Sequence, residues 1–181
     1  MITVISGTNR PGSNTLKVAR LAAAALSKKG EKSALLDLAE LPQAIFDPAS
    51  YSEKPDSFAP FSKAVLDSAG LLVVTPEYNG GPPGVLKYFI DMLKFPESFE
   101  RKPVGFLGLS AGMSGALRPV EQLQQIFGYR NAFLFPERLF LPGIGSLLDA
   151  DGPLKDPELQ ARLERQVLRF AVFARHMLSL V

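Results

Sequence analysis

The sequence contains no cysteine and only one histidine among its 181 residues. Without cysteine, disulfides, thiolate nucleophiles and cysteine-based metal sites are excluded, and the composition fits a reducing compartment. The single histidine, His176, lies near the end of the last predicted helix, where we expect a structural or surface role in keeping with the helix dipole. We therefore expect neither a metal site nor an evident catalytic triad.

Large excess charge and long apolar runs are also missing. The formal net charge is +2, and the charges are dispersed along the chain, so a nucleic-acid surface is not expected. No apolar segment approaches the length of a membrane span, and the N-terminal MITVISG lacks the basic leader of a signal peptide. We expect a cytoplasmic protein that binds neither nucleic acid nor membrane.

The sequence does have the composition of an ordinary globular protein, with 46% hydrophobic and 21% charged residues. Its length suits one compact domain, which we place at 1–181. No internal repeat, low-complexity segment or linker interrupts the chain.

Short apolar runs alternate with helical patterns along the whole chain. Buried strands are predicted at 2–6, 32–38, 70–75 and 102–110, with a fifth over 131–135 and a second segment of it at 138–141. Helices are predicted at 13–30, 58–69, 84–94, 115–128 and 156–178. Long loops are predicted at 39–57 and 141–153. Continuous apolar strands separated by helices indicate an α/β fold, a doubly wound five-stranded parallel sheet with helices on both faces.

Two polar loops coincide with the place where such a sheet binds ligands. Ligands bind beyond the carboxyl ends of the strands, where the strand order reverses. With the common order 2-1-3-4-5, the reversal lies between the first and third strands. The loops at these strands, SGTNRPGSNT (6–15) and PEYNGGPPG (76–84), are also the richest in polar residues, glycine and proline. The sequence therefore predicts a binding site between them.

The first loop joins a strand to the N-terminus of a helix, whose free N–H groups and dipole favour an anion. Arg10 adds a forked guanidinium suited to phosphate, and short polar side chains add neutral donors. This combination predicts a site for a single phosphate. The candidate ligands are Thr8, Arg10, Ser13, Asn14 and Thr15. A capped helix after a tight turn is the alternative.

Two familiar phosphate motifs are incomplete in this loop. Gly7 and Gly12 have the spacing of a Walker loop, but Ser13 and Asn14 stand where lysine and a hydroxyl residue are required. The dinucleotide pattern G-x-G-x-x-G is also absent, and Asp37 alone is a weak match to its ribose-binding acid. The loop therefore predicts neither a triphosphate site nor a Rossmann dinucleotide site.

The second loop is stiff and displays polar side chains. Pro82 and Pro83 fix the backbone before the next helix, and three neighbouring glycines allow the backbone to approach a flat ligand. Glu77, Tyr78 and Asn79 are then displayed at the switch point. Alternatively, the segment is a rigid surface turn with Tyr78 packed on the core. The helix behind it has a core stripe of Leu86, Phe89, Ile90 and Leu93.

Together, SGTNRPGSNT and PEYNGGPPGVLKYFID resemble the NADPH-dependent FMN reductase family. That family has the flavodoxin-like fold and includes quinone, chromate and azo-dye reductases. The resemblance covers nearly the whole chain, and PEYN followed by P-G-x-L-K and I-D is its most specific motif. The chain departs from the family where Tyr88 and Phe89 follow Lys87 in place of the usual L-K-N-A-I-D, and where GGPP replaces a stretch with serine or isoleucine.

The resemblance implies site residues in three loops. The five candidates of the first loop would hold the phosphate of FMN. The isoalloxazine ring and ribityl chain would be lined by Pro76, Glu77, Tyr78 and Asn79. The other side of the ring would be bordered by Ser110, Ala111 and Gly112.

The resemblance also implies an activity. FMN would be the cofactor, and NADPH, with NADH as an alternative, would donate hydride for ping-pong transfer to a small-molecule electron acceptor such as a quinone or a flavin. No catalytic acid or base is required. The assembly would be a homodimer or homotetramer. The apolar run at 133–145 is a candidate subunit contact, and the loops at 39–57 and 141–153 are candidate lids.

Two other functions remain open from the sequence. One is a flavodoxin-type electron carrier that binds FMN without substrate turnover. The other is a flavin-free α/β enzyme that binds a different phosphate compound in the same loops.

Overall fold

Five parallel strands form the sheet in the computed structural model, which describes residues 1–149 and 152–179. The strands are β1 (Ile2–Ser6), β2 (Ser33–Asp37), β3 (Gly70–Pro76), β4 (Pro103–Leu109) and β5 (Phe133–Leu141). Their order is β2-β1-β3-β4-β5, and every neighbouring pair is parallel. This is the flavodoxin-like order, and the predicted fold class is confirmed.

Helices cover both faces of the sheet. They are α1 (Asn14–Lys28), α2 (Ala59–Leu66), α3 (Gly84–Met92), α4 (Leu117–Tyr129), α5 (Ile144–Leu147) and α6 (Pro157–Leu178). Along β3, Leu72 and Val74 pack with α1 and α6, whereas Leu71 and Val73 pack with α2, α3 and α4. Strand side chains alternate between faces, so every residue of β3 is buried and the strand reads as a continuous apolar run.

The fifth strand is continuous but irregular, which corrects its predicted division into two segments. Val104 of β4 pairs with Leu134, and Phe106 pairs with Arg138, so one residue of β4 faces three of β5. Pro136, which has no N–H to donate, lies within this bulge. The bulge interrupts the apolar pattern without ending the strand.

Four apolar side chains of the run at 133–145 lie in the core, and these four are not available for a subunit contact. Phe135, Leu139, Leu141 and Ile144 are each at most 4% exposed. They pack in the core shared with α1 and α6. An edge strand covered by a helix on one face buries alternate side chains there, which the sequence pattern alone did not reveal.

The long segment predicted as a loop at 39–57 is mostly built of short 3₁₀ turns. These turns are Leu38–Glu40, Gln43–Phe46, Pro48–Tyr51 and Asp56–Phe58. Asp37 begins the series, because its Oδ1 accepts a hydrogen bond of 3.2 Å from the backbone N–H of Ala39. Its carboxylate therefore caps a local turn, as an aspartate at a helix start commonly does.

Helix α3 buries the predicted stripe, and Leu86, Phe89, Ile90 and Leu93 all lie in the core. Tyr88 stands beside this stripe, where its hydroxyl donates to the carbonyl of Ile45 at 2.7 Å. Within the described part of the chain, no helix has the length and hydropathy that a membrane crossing requires.

Candidate functional site

A cavity of about 490 Å³ lies beyond the carboxyl ends of β1, β3 and β4. This volume is in the range of small-molecule sites. Most of the predicted site residues line it: Arg10, Ser13, Asn14, Thr15, Pro76, Glu77, Tyr78, Ser110 and Ala111. Three predicted residues, Thr8, Asn79 and Gly112, are not part of the lining. Four further residues line it without having been predicted: Pro11, Gly12, Leu109 and Ile144.

The first loop leaves the sheet in close contact with β3. The N–H of Gly7 donates to the carbonyl of Val74 at 2.8 Å. A Cβ atom at Gly7 would lie 2.8 Å from that same oxygen and 3.0 Å from a methyl group of Leu86. Only glycine fits here, and its small size brings the loop over the end of β3.

The N-terminus of α1 lies at the cavity with an incomplete set of hydrogen bonds. Ser13 caps the helix, because its Oγ accepts from the N–H of Leu16 at 3.1 Å. The N–H groups of Asn14 and Thr15 precede the first intrahelical bonds and have no partner within the helix. The first turn of α1 contains no acidic side chain. These free donors and the helix dipole favour an anion at this end of the cavity.

Thr8 joins the first loop to the second. Its side chain is fully buried, and its Oγ1 lies 2.9 Å from the phenolic oxygen of Tyr78. The same Oγ1 accepts from the N–H of Arg10 at 3.3 Å. Thr8 thus lies behind the cavity wall, and its hydroxyl is engaged by the protein.

The second loop is a tight turn. Tyr78 and Gly81 exchange backbone hydrogen bonds of 2.9 and 3.0 Å. The two residues between them, Asn79 and Gly80, have φ angles of 51° and 78°, as a two-residue hairpin turn requires. The turn displays Tyr78 at the cavity and leaves Asn79 exposed outside the lining.

Helix α4 and the loop just before it hold this turn in place. The carboxylate of Glu77 accepts from the hydroxyl of Ser114 and from Nη1 of Arg118 at 3.1 Å. The amide Nε2 of Gln122 donates to the carbonyl of Gly80 at 3.2 Å. Glu77 is therefore an ion-paired support of the cavity wall and is poorly placed to act as a free base.

The third loop depends on Ser110. Its Oγ donates to the carbonyl of Gly112 at 2.8 Å and accepts from the N–H of Gly115 at 2.9 Å. The Gly112 carbonyl also accepts from the N–H of Gly143 at 3.1 Å, so Gly112 faces the neighbouring loop. The N–H of Ile144 donates to the carbonyl of Ser110 at 3.0 Å, which brings Ile144 to the cavity from a distant part of the chain.

Of the two charged side chains that line the cavity, one is ion-paired and one is not. Its charged lining residues are Arg10 and Glu77. Glu77 is paired with Arg118, whereas the guanidinium of Arg10 has no partner in the described part of the chain. The uncompensated charge is therefore positive and lies near the N-terminus of α1. His176 lies exposed on α6 and is not part of the lining.

Comparisons with known proteins identify the family of the chain. Residues 1–144 match the family described as NADPH-dependent FMN reductase. A 2-hydroxy-1,4-benzoquinone reductase of Burkholderia sp is 27% identical over 178 residues, with 96% of this chain and 96% of the relative covered. A quinone reductase of Pseudomonas putida is 32% identical over 178 residues, with 91% of each chain covered.

A solved structure shares the fold. FerB, a flavoenzyme NAD(P)H:(acceptor) oxidoreductase from Paracoccus denitrificans, matches with a TM-score of 0.81, and 97% of each chain is covered. The sequence identity is 22%, so this likeness concerns the fold alone.

Proposed function

Because the chain belongs to the NADPH-dependent FMN reductase family and is an oxidoreductase, we propose that its cavity binds FMN between the three loops. The proposed reaction passes a hydride from NADPH, with NADH as an alternative donor, through the flavin to a quinone, a free flavin or a similar small acceptor. The observation that carries the proposal is one cavity lined both by the N-terminus of α1 with Arg10 and by the second loop at Pro76, Glu77 and Tyr78.

The residues at the phosphate end fit the group. The N–H groups of Asn14 and Thr15 are free of intrahelical partners, and Arg10 supplies a guanidinium with no protein partner. Ser13 also lies in the lining. A single phosphate would thus meet several donors and one positive charge. Thr8 would act indirectly, through its contact with Tyr78.

The residues at the ring end also fit. Tyr78 is 37% exposed and offers a flat aromatic ring, while Pro76, Leu109 and Ile144 back the lining as buried, apolar side chains. The loops that carry them are tied down by Thr8, Ser110 and α4 through the hydrogen bonds described above. Such a prearranged wall lowers the ordering cost of binding a planar ring.

The chain has to bind, orient and shield the reactants. When bound, FMN supplies the two-electron chemistry itself. The cavity wall excludes water from one side of the site, and no free acid or base of the chain is needed, which suits the ion-paired state of Glu77. Since one cavity would serve both donor and acceptor, we propose that they bind in turn, in a ping-pong sequence.

Quinones are the acceptor class that the names of the similar reductases support. We further propose that the protein forms a homodimer or homotetramer.

The first experiment is a visible spectrum of the purified protein with added FMN, followed by anaerobic addition of NADPH. We expect a protein-bound flavin spectrum that bleaches, and recovery of the oxidised spectrum when a quinone is added. Bound flavin that stays oxidised with both NADPH and NADH would favour the electron-carrier alternative. A failure to bind FMN would contradict the proposal and favour another phosphate ligand in the same loops.

A further inference from the structure

A second depression, with no residue in common with the FMN cavity, lies between β5 and α6. Its volume is about 240 Å³. We call it the arginine pocket, and its lining residues are Glu137, Arg138, Arg162, Arg165, Gln166 and Arg169. The reductase activity proposed above makes no use of them.

The bulge in β5 and a buried glutamine build this pocket. Gln166 is only 5% exposed, and its Nε2 donates to the carbonyls of Phe106 at 3.1 Å and Glu137 at 3.3 Å. These bonds fix α6 against the place where the pairing of β4 and β5 shifts. Glu137 and Arg138 are thereby held next to the helix.

The spacing of the helix residues puts three guanidinium groups on one face. Arg165 and Arg169 follow Arg162 by three and seven residues. The three side chains therefore lie along the same side of α6. At 1.5 Å per residue, the Cα atoms of Arg162 and Arg169 are separated by about 10 Å along the axis. The pocket therefore presents a row of positive charges longer than a single phosphate.

This charge is poorly compensated within the protein. Four arginines and one glutamate give the pocket a formal charge of +3, compared with +2 for the whole chain. Arg169 pairs with Glu137 at 2.7 Å, and Nη1 of Arg138 donates to Oε1 of Gln124 at 3.3 Å. Arg162 and Arg165 have no partner among the described residues. Like charges at this spacing repel one another, and an anion would relieve the repulsion.

We propose that the arginine pocket binds a small polyphosphate anion, with two or more linked phosphate groups. Guanidinium forks match phosphate oxygens in pairs, and the row of three arginines suits a chain of phosphates better than one. A nucleic acid would require a longer basic surface than this depression provides. The binding is independent of the FMN cavity.

The test is calorimetric titration of the FMN-saturated protein with inorganic tripolyphosphate, pyrophosphate and orthophosphate at low ionic strength. We expect saturable binding whose affinity rises from orthophosphate to tripolyphosphate. The double variant Arg162→Gln/Arg165→Gln should weaken tripolyphosphate binding by at least about tenfold, because two charge-assisted contacts are lost. FMN affinity and the thermal midpoint should be unchanged, since both side chains are exposed and unpaired.

Two matched variants sharpen the test. Arg20→Gln removes one exposed positive charge from α1 that is not part of the pocket lining, and should change tripolyphosphate affinity by less than about twofold. Arg162→Lys/Arg165→Lys keeps the charge and loses the fork, and should weaken binding several-fold. Absence of saturable binding would overturn the proposal.

Three other results would also overturn the proposal. The first is equal affinity in the double glutamine variant, which would place the anion elsewhere, including the loop at Arg10. The second is equal affinity in the double lysine variant, which would leave only a diffuse positive surface. The third is tighter binding of a single-stranded oligonucleotide than of tripolyphosphate. The comparison of variants remains valid if the protein does not bind FMN.

Discussion

Among single residues, Thr8 and Tyr78 have the contact that most directly links the two loops of the FMN cavity. The hydroxyl of Thr8 is buried and lies 2.9 Å from that of Tyr78, although the residues are seventy positions apart. A threonine that first looks like a phosphate ligand thus becomes a support for the opposite wall. We propose that this bond fixes the distance between the phosphate end and the ring end.

We predict that Tyr78→Phe weakens FMN binding about fivefold, which corresponds to about 1 kcal/mol for one lost hydrogen bond. Thr8→Val should weaken it at least as much, because it also removes the acceptor of the Arg10 N–H. The double variant should be little worse than Thr8→Val alone, because both substitutions remove the bond between the two hydroxyls. Quenching of flavin fluorescence measures the affinities, and Tyr129→Phe, at an exposed position, is the control. Fully additive losses would mean that the bond does not couple the loops.

Arg10 supplies the uncompensated charge of the cavity. If it faces the phosphate, Arg10→Gln should weaken FMN binding at least tenfold, in line with about 1.5 to 3 kcal/mol for a hydrogen bond to a charged group. Riboflavin, which has the same ring and no phosphate, should bind with nearly unchanged affinity. The measurement is a parallel titration with both flavins. An equal loss for the two would place Arg10 at the ring.

At the scale of the elements, Lys102, which immediately precedes β4, binds the C-terminal end of α2. The Nζ of Lys102 donates to the carbonyls of Val65, Leu66 and Ser68 at 2.6, 3.1 and 3.1 Å. The carbonyl of Val65 also accepts from the N–H of Ser68 at 3.3 Å, so Lys102 adds donors at a helix end where carbonyls lack a full set of intrahelical partners. Burial lowers the pKa of Lys102 to about 8, and the nearby carboxylate of Asp67 opposes that lowering.

This lowered pKa predicts a pH dependence of stability. The unfolded chain keeps the ordinary lysine pKa of about 10.5, so between pH 8 and 10.5 it binds more protons at this site than the folded chain does. The free energy of unfolding should therefore rise with pH across this window, relative to a Lys102→Met variant. Urea unfolding of both proteins at pH 7.5 and 9.5 tests it. A difference that stays constant or shrinks would contradict the lowered pKa.

Strand β4 approaches the third loop closely at Gly108, and this contact predicts that a larger residue there would displace the loop. A Cβ atom at Gly108 would lie 2.6 Å from the carbonyl of Gly115 and 3.0 Å from the ring of Phe140. Gly108→Ala should push the loop away, at a cost of about 1–3 kcal/mol in unfolding free energy, and should weaken FMN binding. In Gly145→Ala the added atom meets nothing within 4 Å. Equal effects of the two variants in denaturant and flavin titrations would refute the steric account.

For the whole molecule, we propose that residues 1–181 fold as one domain. The two apolar core clusters lie on opposite faces of the same sheet, and β3 contributes side chains to both. Unfolding in urea should then follow one transition that coincides for far-UV circular dichroism and tyrosine fluorescence. Saturating FMN should raise the free energy of unfolding by about 2.7 kcal/mol at a concentration one hundred times its Kd. Two separate transitions would contradict the single domain.

Much of this fold could be predicted because its signals are local. The apolar runs of β1 and β3, the cap at Ser13 and the stripe of α3 depend on residues close together in sequence. Parallel strands separated by helices allow only a few topologies. The strand order 2-1-3-4-5 and the position of the cavity at the switch point could therefore be predicted. The bulge in β5 was missed because it depends on pairing with β4, which no local periodicity records.

The sequence by itself determined the family, the sheet and the loops that form the cavity, because motif and hydrophobic period are properties of short segments. Only the tertiary structure decided that Thr8 supports Tyr78, that Ile144 completes the wall and that Asn79 turns outward. It also brought β5 and α6 together to form the arginine pocket. Each of these depends on contacts between residues far apart in the chain, and such contacts exist only when the whole chain has packed.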